Sequence, residues 1–133
     1  MTYYSGSDQV GGNRGQGIIM DSSYHTVQTV SSGFGRTSND VHEFSVINGG
    51  TAALITIFQP TQYDLSSSGL VQPTSQPWGW VVEGIFQEID IRTGDVLFEW
   101  RSLDHTTPEQ SYNDRASAGA GNGSTLSTIW DYL

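Results

Sequence analysis

Short apolar runs separated by tight-turn residues dominate this chain, and that rhythm restricts it to antiparallel β structure. Residues 41–59 read VHEFSVINGGTAALITIFQ: two β-branched runs joined by Asn48-Gly49-Gly50. Asn and Gly adopt positive φ readily, so this is a hairpin signal with a mechanism. The layout recurs on either side. In residues 17–30, GIIM and YHTVQTV flank Asp21-Ser22-Ser23. In residues 80–101, WVVEGIFQEIDI and VLFEW flank Arg92-Thr93-Gly94-Asp95. The i, i+3, i+4, i+7 spacing of an amphipathic helix is almost absent. The sequence therefore predicts an all-β chain, with turns at 21–23, 48–50 and 92–94 and no helix of several turns between them. A long loop is expected at TQYDLSSSGLVQPTSQPWG, and a further one after Trp100.

The hairpins also resemble one another. IDIRTGDVLFEW follows the frame D-x-x-T-G-x-h-h-x-W. Asp90 and Thr93 there suit turn hydrogen bonds, and Gly94 suits a positive φ. Trp100 is expected to fill the space between neighbouring sheets. Repeated hairpins with a Gly turn and an aromatic lock fit the blades of a β-propeller. A blade needs roughly 40–50 residues, so the 133 residues make one domain of about three blades, an incomplete ring. A sandwich of six or seven strands is the other architecture this pattern allows.

Charge narrows the function. The formal net charge is −9, and the 5 basic residues are all arginine. Such a chain lacks the basic surface that neutralises a phosphate backbone, which argues against nucleic acid and against an anionic membrane. There is no cysteine, hence no disulfide and no thiolate metal site. No basic start followed by an apolar run marks a signal peptide, and no apolar stretch approaches the ~20 residues of a membrane helix. Asn122-Gly123-Ser124 is a glycosylation sequon.

Among residues that could carry chemistry, His42 stands out, set between Asp40 and Glu43 at the expected head of a strand. It reads either as a strand-end histidine hydrogen-bonded to backbone or as part of a site. Asp40 shares its face, but no second histidine lies nearby, so a metal is not expected. His105, in LDH, is a loop histidine that could lie near the same site as His42 or be simply solvated. His25 alternates within YHTVQTV as an exposed strand residue. Glu88 and Asp90 point to one face, but Asp90 has a turn to hold and Glu88 suits an edge hydrogen bond. Arg101 could offer a cation to an anionic group or pack on aromatics.

The stretches NDVHEFSVINGGTAALITIFQPTQYDLS, GWVVEGIFQEIDIRTGDVLFEWRSLDH, SY and WDYL, in that order, resemble the N-terminal half of the fungal arylsulfotransferase-like proteins. The resemblance runs from about Tyr3-Tyr4 to Leu133. That family is similar to the bacterial arylsulfate sulfotransferases: six-bladed propellers that pass a sulfuryl group between phenols through a sulfohistidine, without a nucleotide sulfate donor. The resemblance implies aryl sulfate and phenol as substrates, no cofactor, and an extracellular setting. It places His42 at the channel as the first histidine of the active-site set, an assisting group, with His105 and Arg101 as channel or support residues. The family's His-Ile-Asn-Ser, Ser-x-Arg and Gln-His-Asp segments, the last bearing the nucleophile, have no match here. The chain is thus expected to be a partial domain, inactive alone, with open strand edges prone to self-association. A non-catalytic propeller module that binds or scaffolds is the alternative.

Overall fold

The structure, a computed structural model, describes residues 1–7, 14–36, 39–68, 77–112, 130 and 132. Among the described residues, seven strands form two antiparallel sheets. Strands β1 (Thr2–Ser7), β2 (Arg14–Met20) and β3 (Thr26–Val30) make a three-stranded sheet in that order. Strands β4 (Phe44–Ile47), β5 (Ala52–Asp64), β6 (Trp78–Asp90) and β7 (Val96–Arg101) make a four-stranded sheet, also in sequential order. No α-helix occurs among the described residues; the non-strand elements are single 3-10 turns.

The predicted turns lie where the sequence puts them. Asn48, Gly49 and Gly50 all have positive φ and join β4 to β5, with Ile47 opposite Ala52. Between β6 and β7, Asp90 Oδ1 accepts the N–H groups of Arg92 and Thr93 at 2.8 Å each, and Gly94 takes φ 78°. In the first hairpin Asp21 Oδ1 accepts from Ser23 N–H and His25 N–H. These are Asx turns, in which a short carboxylate replaces a backbone acceptor.

Several features differ from the sequence reading. Thr2–Ser7 is a strand, paired with β2 from Thr2↔Ile19 to Ser7↔Arg14; its polar, glycine-containing sequence lacks the alternation that marks a strand. Strand β5 continues through Pro60 to Asp64, paired with β6 to Trp78, so the expected long loop is shorter. Pro60 is tolerated for a reason of parity. The Thr56 carbonyl points away from β6, since it accepts Asp40 N–H at 2.7 Å. Pro60 shares that orientation, and β4 pairs only as far as Ile55. The missing proline N–H thus faces an edge with no ladder to break. At the far end, Trp130 and Tyr132 are buried. Trp130 bridges to Val81 beyond the point where β7 stops pairing with β6, and Ser102 Oγ meets Tyr132 Oη at 2.8 Å.

The core lies between the sheets. Val30 and Ile19 from the first sheet pack on Ala53, Ile55, Ile57, Ile85 and Ile89 of the second. These β5 and β6 positions alternate and pair across strands, Ala53↔Ile89 and Ile57↔Ile85, so one face of the four-stranded sheet is buried. A second cluster joins Leu65, Val81, Trp130 and Tyr132. The opposite face carries Phe58, Phe86, Phe98 and Trp100. Trp100 does not fill an inter-sheet space: it lies on the face turned away from the first sheet, and Trp100 and Phe98 are exposed.

Candidate functional site

His42 does not open β4. It sits in a turn two residues before Phe44, and local chemistry explains the bend. Asp40 Oδ2 accepts the backbone N–H of His42 at 3.0 Å, pulling the chain out of the ladder direction. Asp40 itself is fixed by its N–H bond to the Thr56 carbonyl, and the neighbouring Asn39 is fixed by Nδ2 donating to Val30 O at 3.1 Å. Both residues are buried. The His42 side chain, by contrast, is 73% exposed while that of Asp40 is 1% exposed. Nδ1 of His42 lies 2.5 Å from Asp40 Oδ2, and the imidazole tilts against the Phe58 ring at 6.0 Å. Beside them Ser45 Oγ donates to Glu43 Oε1.

His105 lies over the same face of the four-stranded sheet. Its ring stacks on Trp100, with centroids 5.0 Å apart and planes 2° from parallel. Trp100 pairs with Phe86, and Phe58 pairs with Gly84, so both aromatic platforms share a face with β6 between them. Two inter-strand spacings separate them laterally, ~10 Å. The structure thus brings His42 and His105 to one aromatic surface, each against a ring, without bringing them into contact.

Arg101 goes to the other face. Its Nε and Nη2 donate to Glu83 Oε1 and Oε2 at 2.9 and 3.0 Å, and Thr61 Oγ1 donates to Oε2 at 2.9 Å. This hydrogen bonding holds the Arg101 pKa above its ordinary value. Glu83 is fully buried, a position no sequence pattern marked. Next to it runs a second network: Gln87 Oε1 accepts Gly33 N–H, Gln87 Nε2 donates to Glu99 Oε2 at 2.6 Å, and Arg36 grips Glu99 through Nε and Nη2. The Arg36 hydrogen bonds hold the Glu99 carboxyl below the usual carboxylate range. Both guanidinia are therefore engaged by carboxylates.

The remaining candidates take local roles. His25 is exposed, with Nδ1 3.6 Å from Asp21 Oδ2, too long for a hydrogen bond. Glu88 accepts from Asn48 Nδ2 at 3.1 Å, and Asp90 holds its turn. Among the described residues no three His, Asp or Glu side chains gather as metal ligands, and no helix is long and apolar enough to cross a membrane. Asn122 lies outside the described residues. The alternation of the strands revealed nothing of Asp40, whose burial depends on Thr56 and so on the folded β5.

Compared with known proteins, residues 6–133 match a family model described as Arylsulfotransferase (ASST). No curated protein matches, and neither does any solved structure.

Proposed function

The chain belongs to the arylsulfotransferase family, and on that footing we propose that it supplies one part of a sulfuryl-transfer site, with His42 as an assisting group. The match across residues 6–133 carries this reading. The two sheets are adjacent blades of a propeller, with β1 and β4 as neighbouring inner strands. Their sequential strand order and face-to-face stacking support this, as does the closeness of β1 to β4. In the full reaction the sulfur of an aryl sulfate is attacked by a histidine nitrogen. An N–S bond forms as the S–O bond to the donor breaks, and the phenolate leaves with a proton. An acceptor phenol oxygen then attacks the same sulfur: its O–S bond forms as the N–S bond breaks, and its hydroxyl proton passes to the group that had protonated the departing phenolate. His42 assists by hydrogen-bonding a sulfuryl oxygen or protonating the leaving phenolate. His105, across the same aromatic face, is a channel residue, and Arg101 supports the fold beneath.

The 133 residues alone do not turn over. A single exposed imidazole does not neutralise three sulfuryl oxygens, and the Arg36 and Arg101 guanidinia already face carboxylates. The test uses 4-nitrophenyl sulfate with a phenol acceptor. The chain alone should release no 4-nitrophenol. Supplied in trans with the family's C-terminal segments it should, and His42→Ala should then lower the rate about 10²-fold. Release by the 133 residues alone, abolished by His42→Ala, would refute the inactivity. Secretion and a glycan on Asn122 belong to the same reading; a mass loss on enzymatic deglycosylation checks the glycan.

The exposed Trp78, Phe98 and Trp100 favour a second reading, a propeller module that binds or scaffolds and self-associates through open edges. Open strand edges predict self-association on either reading, which sedimentation of the purified chain tests; transfer that is restored in trans and lost with His42→Ala separates the two.

A further inference from the structure

We infer that Asp40 is a positioning residue for His42: its buried carboxylate holds the imidazole in the tautomer with the proton on Nδ1 and directs Nε2 outward from the sheet. The inference rests on the reading of His42 as a site residue.

Asp21, Asp64 and Asp90 each accept a backbone N–H two residues on. All three form their turns while open to solvent or partly so. A turn therefore needs no buried carboxylate. Asp40 makes the same backbone contact from a buried position, where an ionised group is costly unless well hydrogen-bonded. What it does in addition is hold a ring. The His42 N–H and the His42 Nδ1 converge on one atom, Oδ2, at 3.0 and 2.5 Å.

That convergence decides the proton. An ionised carboxylate has acceptors only, so Nδ1 must carry the hydrogen it donates. Nε2 is then left with its lone pair in the neutral ring, and becomes a donor once the ring takes a second proton. The bond at one nitrogen sets the chemistry of the other. An unconstrained neutral imidazole prefers the opposite tautomer. Phe58 flanks the ring on one side, and Asp40 is anchored to β5 through the Thr56 carbonyl. Nε2 is thus the atom that meets an incoming anion or phenol. It has a defined direction, where a free surface histidine would have none.

The test is 15N NMR of the histidine-labelled chain, at a pH where the imidazoles are neutral, with His25 and His105 as references in the same spectrum. His42 should show a protonated Nδ1 and an unprotonated Nε2, while the references keep the ordinary tautomer. Asp40→Asn can turn its amide N–H₂ toward Nδ1. It should move the His42 tautomer ratio about tenfold toward Nε2–H, the scale of one charge-assisted hydrogen bond. If that variant fails to fold, the unsubstituted chain still decides, because an unprotonated Nδ1 there overturns the inference. So does a folded Asp40→Asn with the ratio unchanged. Neither result touches the sulfuryl-transfer reading, which fails instead if His42→Ala leaves restored transfer intact.

Discussion

Replacing Arg101 by methionine should destabilise the chain by about 3 kcal/mol. Arg101 reaches Glu83 with two donors, Nε to Oε1 at 2.9 Å and Nη2 to Oε2 at 3.0 Å, and the Glu83 side chain is 0% exposed. Methionine keeps the apolar stem and removes both bonds. Thr61 Oγ1 remains on Oε2, leaving Oε1 without its donor and the charge without its partner. Removing one member of a buried pair costs about 3–5 kcal/mol. The low end applies because Arg101 is 33% exposed and water can take part of its place. For a domain of this length each kcal/mol lowers Tm by about 3–4 °C, so a fall of about 10 °C is expected in a thermal melt, with a matching shift in urea. Arg101→Lys should recover less than half, since one ammonium does not match two carboxylate oxygens as a planar fork does. Glu83→Gln combined with Arg101→Met should recover more than half, because the stranded charge is gone. A loss under about 1 kcal/mol for Arg101→Met, or a double variant as unstable as the single one, would refute the reasoning.

Further outcomes follow from the packing and the ion pairs. Ile57→Ala, in the core opposite Ile85, should cost about 3–4 kcal/mol by urea denaturation, as a cavity among strands that collapse poorly. Gly17→Ala places a Cβ 2.1 Å from a Phe44 ring carbon; it should destabilise by about 1–3 kcal/mol and be relieved by Phe44→Leu in the same chain. The Glu99 pKa is depressed in the fold, first by the Arg36 hydrogen bond, so the native state binds fewer protons than the unfolded one. Its stabilisation is present above the ordinary glutamate value of 4.5 and lost as pH falls through the lower folded value. Glu99→Gln should flatten that part of a Tm-against-pH curve.

The features legible in advance share one property: their causes are local. A carboxylate or glycine within a few residues forms each turn, as at Asp21, Asn48-Gly49-Gly50 and Asp90. Strand alternation then selects Ala53, Ile55 and Ile57 as one buried row. The family, too, was readable, because its motifs lie in order along these hairpins. The ends of the hairpins were less so. Thr2–Ser7 becomes a strand only because β2 offers it an edge, and β5 runs on past Pro60 only because β4 is too short to need that N–H.

The chain by itself determined the antiparallel all-β class, the turn positions, the acidic balance and the family. Only the tertiary structure decided which polar groups are buried and which faces the histidines share. Glu83 and Arg101 are 18 residues apart, Arg36 and Glu99 are 63, and the Asp40 carboxylate is buried by a loop docked on β5. Burying a charge is tolerable only beside a partner, and a partner so distant in sequence leaves no mark on the residues around it. The same holds for His42 and His105. Strand pairing, which links Phe58 through Gly84 and Phe86 to Trp100, carries them to one surface and sends Arg101 to the other.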